Sequence, residues 1–177
     1  MKTIYFIRHA KAKNFHKDES DFERGISKKG KKQIRTIGSY MKLREISPDM
    51  ILSSCALRAQ QTTVELSNIM EFDGDIQYLR QMYNTSTQDL IDIISIQDKS
   101  IDSLFLIGHH PYMTELVNLL IDDHISKIPL MGVVAAHFNI KSWNEIENIK
   151  GKIEFFIFPK QFWYYMPNNI RATLKRD

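Results

Sequence analysis

The sequence predicts an α/β fold, a three-layer sandwich in which a mostly parallel sheet lies between helices. Two observations carry that prediction. Short apolar runs alternate with longer stretches of helical periodicity from residue 3 to about 120, the pattern of successive βαβ units. From about 132 the pattern changes to residue-by-residue alternation, and a further apolar run follows at 153–158. That predicts antiparallel strands added to the sheet near its end. A chain of 177 residues suits one domain spanning 1–177.

The first element is Thr3-Ile4-Tyr5-Phe6-Ile7, a short apolar run that reads as a buried strand. The polar stretch over 10–26 reads as a loop. Ser27 is placed to cap a helix at about 28–46, with Ile34, Ile37 and Met41 on one face and Pro48 closing it. A strand over 49–53 leads into a helix at about 57–70. Then come a strand over 76–79 and a helix from Ser86 or Thr87 to about 96, with Leu90, Ile93 and Ile94 inward. Residues 103–108 form another strand. Pro111 suits the first turn of the next helix, whose apolar stripe is Met113, Leu116, Val117 and Leu120. Val134, Ala136, Phe138 and Ile140 alternate with other residues. Lys150-Gly151-Lys152 reads as the turn of a terminal hairpin with 153–158.

Composition narrows the class. Hydrophobic residues at 43% and charged residues at 25% are those of an ordinary globular protein. A net charge of +3 is too small to argue for nucleic acid. The single cysteine, Cys55, leaves no intramolecular disulfide and suits a reducing compartment. Met1-Lys2 leads into only five strand-like residues, which is no secretory signal, and no apolar run approaches membrane-spanning length. The expectation is a cytoplasmic protein with no membrane or nucleic-acid partner.

The chemistry gathers where strands end. Strand 3–7 runs into Arg8-His9. Strand 49–53 runs into Ser54, with Arg58 in the first turn of the next helix. Strand 103–108 runs into His109-His110-Pro111. In open α/β sheets ligands bind beyond the carboxyl ends of the strands. If the three strands are parallel neighbours, two arginines and two histidines meet at one edge. Arg58 then also sits near a helix N-terminus, where amides and dipole favour an anion. Guanidinium groups around imidazoles suit a phosphate better than a metal, because they repel a cation.

Arg8-His9-Ala10, Ser54-Cys55-Ala56-Leu57-Arg58-Ala59-Gln60-Gln61-Thr62 and Gly108-His109-His110-Pro111 together resemble the histidine phosphatase superfamily, the phosphoglycerate mutase-like group. The short chain resembles its SixA branch, phosphohistidine phosphatases without a cap domain. Arg24-Gly25-Ile26-Ser27-Lys28-Lys29-Gly30 is similar to a segment of that branch that carries a further phosphate-contacting arginine. The resemblance runs from residue 3 to about 121, with Phe158-Pro159-Lys160 also family-like. It implies that His9 is a nucleophile that becomes phosphorylated, that Arg8 and Arg58 hold phosphoryl oxygens, and that His109 and Arg24 add contacts. It implies no metal and no cofactor. The physics agrees: a neutral imidazole needs no separate base, and fixed guanidinium groups can meet the charge of the transferring group. The second ring nitrogen of His9 should donate to a backbone carbonyl.

One departure stands out. Relatives often carry Leu-Tyr-Glu where this chain reads Gln81-Met82-Tyr83-Asn84, an amide in place of an acid. Asp18, Glu19 and Asp21 are the nearest substitutes in sequence, or the substrate needs little protonation. The leading expectation is a metal-independent phosphatase acting on phosphohistidine in a protein. The alternatives are a phosphatase of a small phosphorylated metabolite, and a catalytically weak phosphoprotein-binding module. Bland readings cover the rest. His16, His124 and His137 are read as exposed or polar-face residues, His110 as turned away from the site, and Cys55 as packed. Lys28, Lys29, Lys31 and Lys32 form a solvated helix face or steer an acidic partner. Phe162-Trp163-Tyr164-Tyr165 reads as tail packing or a contact patch.

Overall fold

A computed structural model describes residues 1–15, 17 and 20–165. His16, Asp18 and Glu19 lie outside the described residues. Six strands form one sheet: β1 (Lys2–Arg8), β2 (Met50–Ser54), β3 (Asp75–Leu79), β4 (Ser103–Gly108), β5 (Val133–Phe138) and β6 (Lys152–Ile157). Their order across the sheet is β3-β2-β4-β1-β5-β6. The pairs β3–β2, β2–β4 and β4–β1 are parallel, and β5 and β6 are antiparallel additions. Parallel neighbours need crossover helices, and the helices supply them. These are α1 (Lys28–Leu43), α2 (Leu57–Met70), α3 (Thr87–Ser95) and α4 (Tyr112–Leu120), with α5 (Pro159–Tyr165) after β6.

The sheet separates two apolar cores. Ile34, Ile37 and Met41 of α1 and Leu66 of α2 meet Ile7, Ile51, Phe105, Ile107 and Val133 on one face. Leu90 and Ile94 of α3 and Leu116 and Val117 of α4 meet Ile4, Phe6, Leu52, Leu104 and Leu106 on the other. Central strands buried on both faces read as continuous apolar runs, which is why β1 and β4 are so plain in the sequence. Phe162 of α5 packs edge-on against Tyr40 of α1, with ring centroids 5.1 Å apart. Among the described residues no helix is long and apolar enough to cross a membrane, and no cap is inserted between the sheet elements.

Two boundaries differ from the sequence reading. The first helix stops at Leu43 rather than 46. Glu45 adopts φ 54°, and the Ile46 amide turns back to the Met41 carbonyl at 3.0 Å. The second is the terminal hairpin. No tight turn at Lys150-Gly151-Lys152 joins β5 to β6. The connection is a longer segment containing a 3-10 helix, Trp143–Asn148, which buries Trp143 and Ile146 in the core. Ile140, Trp143 and Ile146 recur every third residue, the period at which a 3-10 helix presents one face. Gly151 instead forms an isolated parallel bridge with Ile121.

Register sets the site. Arg8 lies opposite Gly108, and Ser53 opposite Ile107, so β1, β4 and β2 end level with one another. The chain leaving β1 is then held against α1. Ala12 bridges Ile26, and Ser27, the α1 cap, donates both its amide and its hydroxyl to the Lys11 carbonyl at 2.8 and 2.9 Å. Gly30 must lack a side chain here, because a Cβ would collide with that same carbonyl oxygen. Alanine inside a helix ordinarily gains about 1 kcal/mol over glycine. Gly30→Ala should instead lose about 1–3 kcal/mol by overpacking, read from urea unfolding. A gain in stability would show that the Lys11 segment is not clamped in this way.

Candidate active site

The level strand ends bring Arg8, His9, Arg58 and His109 together, with Arg24 beside them, around a cavity of about 410 Å³. His9 leaves β1 with its amide bonded to the Gly108 carbonyl at 3.1 Å. Its Nδ1 lies 2.7 Å from the Ala10 carbonyl oxygen. A carbonyl only accepts, so Nδ1 carries the ring proton. At the other nitrogen, Arg58 Nε donates to His9 Nε2 at 3.3 Å. The free lone pair of His9 therefore sits on Nε2. Ala10 is fixed in turn, because its amide donates to Thr62 Oγ1 at 3.1 Å and that hydroxyl donates to the Arg58 carbonyl at 2.6 Å. The backbone of α2 thus locates both the histidine and the arginine.

His109 is held by Ser54. Its Nε2 lies 2.8 Å from Ser54 Oγ, which also accepts the Ala56 amide at 3.3 Å. The His109 Nδ1 is buried without a partner, as are Arg8 Nε and Arg24 Nε. A buried polar atom left without a partner costs about 1–3 kcal/mol. Three such atoms on residues around one cavity mark a place built to receive an acceptor-rich group. Arg8 uses another nitrogen, Nη1, to reach the Ile128 carbonyl at 3.0 Å.

Asp21 braces the arginines. Arg58 donates through Nη2 to Asp21 Oδ2 at 3.0 Å and through Nη1 to the Asp21 carbonyl at 2.6 Å. Arg24 Nη2 pairs with Asp21 Oδ1 at 2.7 Å, and the Tyr83 hydroxyl donates to Oδ2 at 3.0 Å. Burial would raise the Asp21 carboxyl, but Arg58, the Tyr83 hydroxyl and Arg24 together hold it below its usual value. It is ionised near neutrality and poorly suited to donate a proton. Tyr83 stands edge-on to His109, with centroids 5.7 Å apart. Asn84, at the place where an acid was sought, is exposed and does not border the cavity. No Asp or Glu does so among the described residues.

The other sequence-marked groups fall elsewhere. His110, read as turned away, borders the cavity rim and contacts Thr114 Oγ1 through Nδ1 at 3.2 Å, because the chain turns sharply into α4 there. His137 bonds Thr3 Oγ1 and Glu154, both at 2.9 Å, on the strands away from the site. His124 is exposed, and Cys55 is half-buried. Lys28, Lys29, Lys31 and Lys32 are exposed on α1, and Lys31 pairs with Glu65 at 3.1 Å. Sequence reasoning placed Ser54 at a strand end without giving it a task, and treated Asp21 only as an acid. Its distance in sequence from Arg58 hid the ion pair.

Residues 4–80 match the family model of the histidine phosphatase superfamily (branch 1). The chain is similar to the crystal structure of a putative phosphohistidine phosphatase SixA from Agrobacterium tumefaciens, with 27% identity, TM-score 0.78, and coverage of 89% of this chain and 98% of that one. It shares its fold with a protein histidine phosphatase SixA complexed with tungstate, at 17% identity and TM-score 0.78 over 90% and 99% of the two chains. A mycobacterial glucosyl-3-phosphoglycerate phosphatase is similar at 10% identity and TM-score 0.59 over 87% and 97%. The family match is thus confined to residues 4–80, the fold is shared with the SixA structures, and the chain is a phosphatase.

Both imidazoles are held neutral. Burial pushes His9 from 6.5 down to about 3, and Arg58, Arg8 and Arg24 act in the same direction. Burial, then His9 and Arg58, push His109 down to about 3. In the unfolded chain each histidine takes up a proton below about 6.5. In the folded protein each resists until about pH 3. The stability they contribute is complete above the unfolded value and is lost as pH falls. Unfolding free energy should therefore decline between about pH 6.5 and pH 4, by up to about 1.4 kcal/mol per pH unit for each histidine. His109→Gln should flatten that slope, as followed by denaturant unfolding at a series of pH values. An unchanged slope would mean that His109 protonates freely in the folded protein.

Proposed function

We propose that this chain, acting as one histidine phosphatase domain over 1–177, hydrolyses phosphohistidine carried by a protein. The observation that supports the reading most is the His9 lone pair. It is fixed on Nε2 by the Nδ1–Ala10 contact and faces guanidinium groups in a cavity with no carboxylate on its described wall. In the first step Nε2 attacks phosphorus and the new N–P bond forms. The P–N bond to the substrate imidazole breaks, and the departing nitrogen takes a proton from water. In the second step water attacks phosphorus and its proton leaves to solvent. The Nε2–P bond breaks, inorganic phosphate departs and His9 is regenerated.

Arg8 and Arg58 carry the charge on the phosphoryl oxygens. As phosphorus approaches Nε2, the Arg58 Nε–H moves from the lone pair to an incoming oxygen. His109, with its proton on Nδ1, adds a donor there. Ser54 favours that tautomer: its oxygen already accepts the Ala56 amide, so its hydroxyl hydrogen is available for His109 Nε2. Arg24 supplies a further cation. No step is routed through a metal.

The metabolite reading keeps the same residues and rests on the fold shared with the glucosyl-3-phosphoglycerate phosphatase. The two readings separate on leaving groups. General acid assistance is worth about 10²–10⁴-fold, and Asp21 is tied to arginines. Phosphoramidate and phosphohistidine should be cleaved fastest, p-nitrophenyl phosphate next, and alkyl sugar phosphates slower by about that factor. A panel assay at pH 7 with these compounds decides the matter. Sugar phosphates as the best substrates would overturn the phosphohistidine reading and reveal an acid elsewhere.

A further inference from the structure

The cavity carries more positive charge than one phosphoryl group uses. Besides Arg8, Arg24 and Arg58, Lys11 and Lys13 border it, and no acidic residue does so among those described. These lysines stand on a fixed wall. The Lys11 carbonyl is held by Ser27, and the Lys13 amide donates to the Gly25 carbonyl at 2.9 Å. Lys13 also borders a second depression of about 400 Å³. Ile26, Leu57 and Val64 give this groove an apolar lining, and Val64 is 49% exposed. Its other polar groups are largely engaged. Gln61 Oε1 accepts the Ile26 amide at 2.7 Å, Gln60 Nε2 donates to the Cys55 carbonyl at 2.6 Å, and Glu65 is matched by Lys31. The charge presented where groove and cavity meet is that of Lys13.

We propose that cavity and groove together receive a protein segment in which an acidic residue stands beside the phosphohistidine and an apolar residue follows. The acid meets Lys11 and Lys13, and the apolar side chain lies on Leu57 and Val64. This rests on the phosphohistidine reading and adds which sequence is read. The second anion of a bisphosphorylated metabolite would engage the lysines but leave the apolar groove uncovered, so a chain segment is the better fit.

The test uses the whole protein and defined probes. One phosphohistidine peptide carries flanking Asp and Leu, a second carries Lys for Asp, and a third carries Ser for Leu. A sugar bisphosphate and its monophosphate complete the set. Exposed ion pairs contribute modestly and are screened by salt, so kcat/KM should favour the acidic peptide over the basic one by about 5–20-fold at low salt, less at high salt. The Lys11→Glu/Lys13→Glu double variant should reverse that order. Val64→Asp should erase the preference for Leu over Ser. Each ratio is read within one protein, so a general loss of activity cancels. Equal, rapid cleavage of all peptides would overturn the docking surface while leaving the phosphohistidine reading intact. Slow cleavage of every peptide relative to the sugar phosphates would overturn both. A bisphosphate preferred over every peptide would assign the lysines to a second phosphate.

Discussion

The site depends on one proton, the one on His9 Nδ1. With that proton hydrogen-bonded to the Ala10 carbonyl, Nε2 keeps its lone pair toward the cavity, and in the proposed mechanism no base has to create the nucleophile. Burial, with the surrounding guanidinium groups acting in the same direction, then keeps the ring neutral. The same charges that would bind a phosphoryl group also prevent the nucleophile from being protonated. Crowding three arginines has a cost, and Asp21 offsets it by pairing with Arg58 and Arg24. This carboxylate is a structural counter-charge, and no acid lines the cavity among the described residues.

Much of this was legible in the sequence. The apolar runs ending in Arg8-His9, Ser54 and His109 announced strands and their polar ends. Only pairing could show that those ends are level, and the register of β2, β4 and β1 does so. The histidine phosphatase resemblance rested on the same segments. What escaped were contacts between distant residues. The Asp21–Arg58 pair spans 37 positions, and the role of Tyr83 depends on both Asp21 and His109 being near it. The terminal strands do pair antiparallel, but their connection was misread because alternation in β5 was extended into a segment whose true period is three, as Ile140, Trp143 and Ile146 show. A local pattern signals an element; it does not signal the partner that an element or side chain will find.

The absence of a carboxylate on the described cavity wall links electrostatics to substrate choice. A phosphate ester releases an alkoxide that needs a proton, whereas an imidazole leaving group needs less help. The described wall, rich in arginine and lysine, favours anions and carries no carboxylic acid. In the proposed reading, chemistry and binding bias the enzyme the same way, toward a phosphoryl group on nitrogen within an anionic surface.

The central claim is that phosphate passes through His9. Rapid quenching of the enzyme with radiolabelled phosphoramidate tests it most directly. The wild-type protein should carry label that is lost in acid and kept in alkali, and peptide mapping should place it on His9, with none on His9→Ala. Turnover retained by His9→Ala, or label mapping to another residue, would contradict the account.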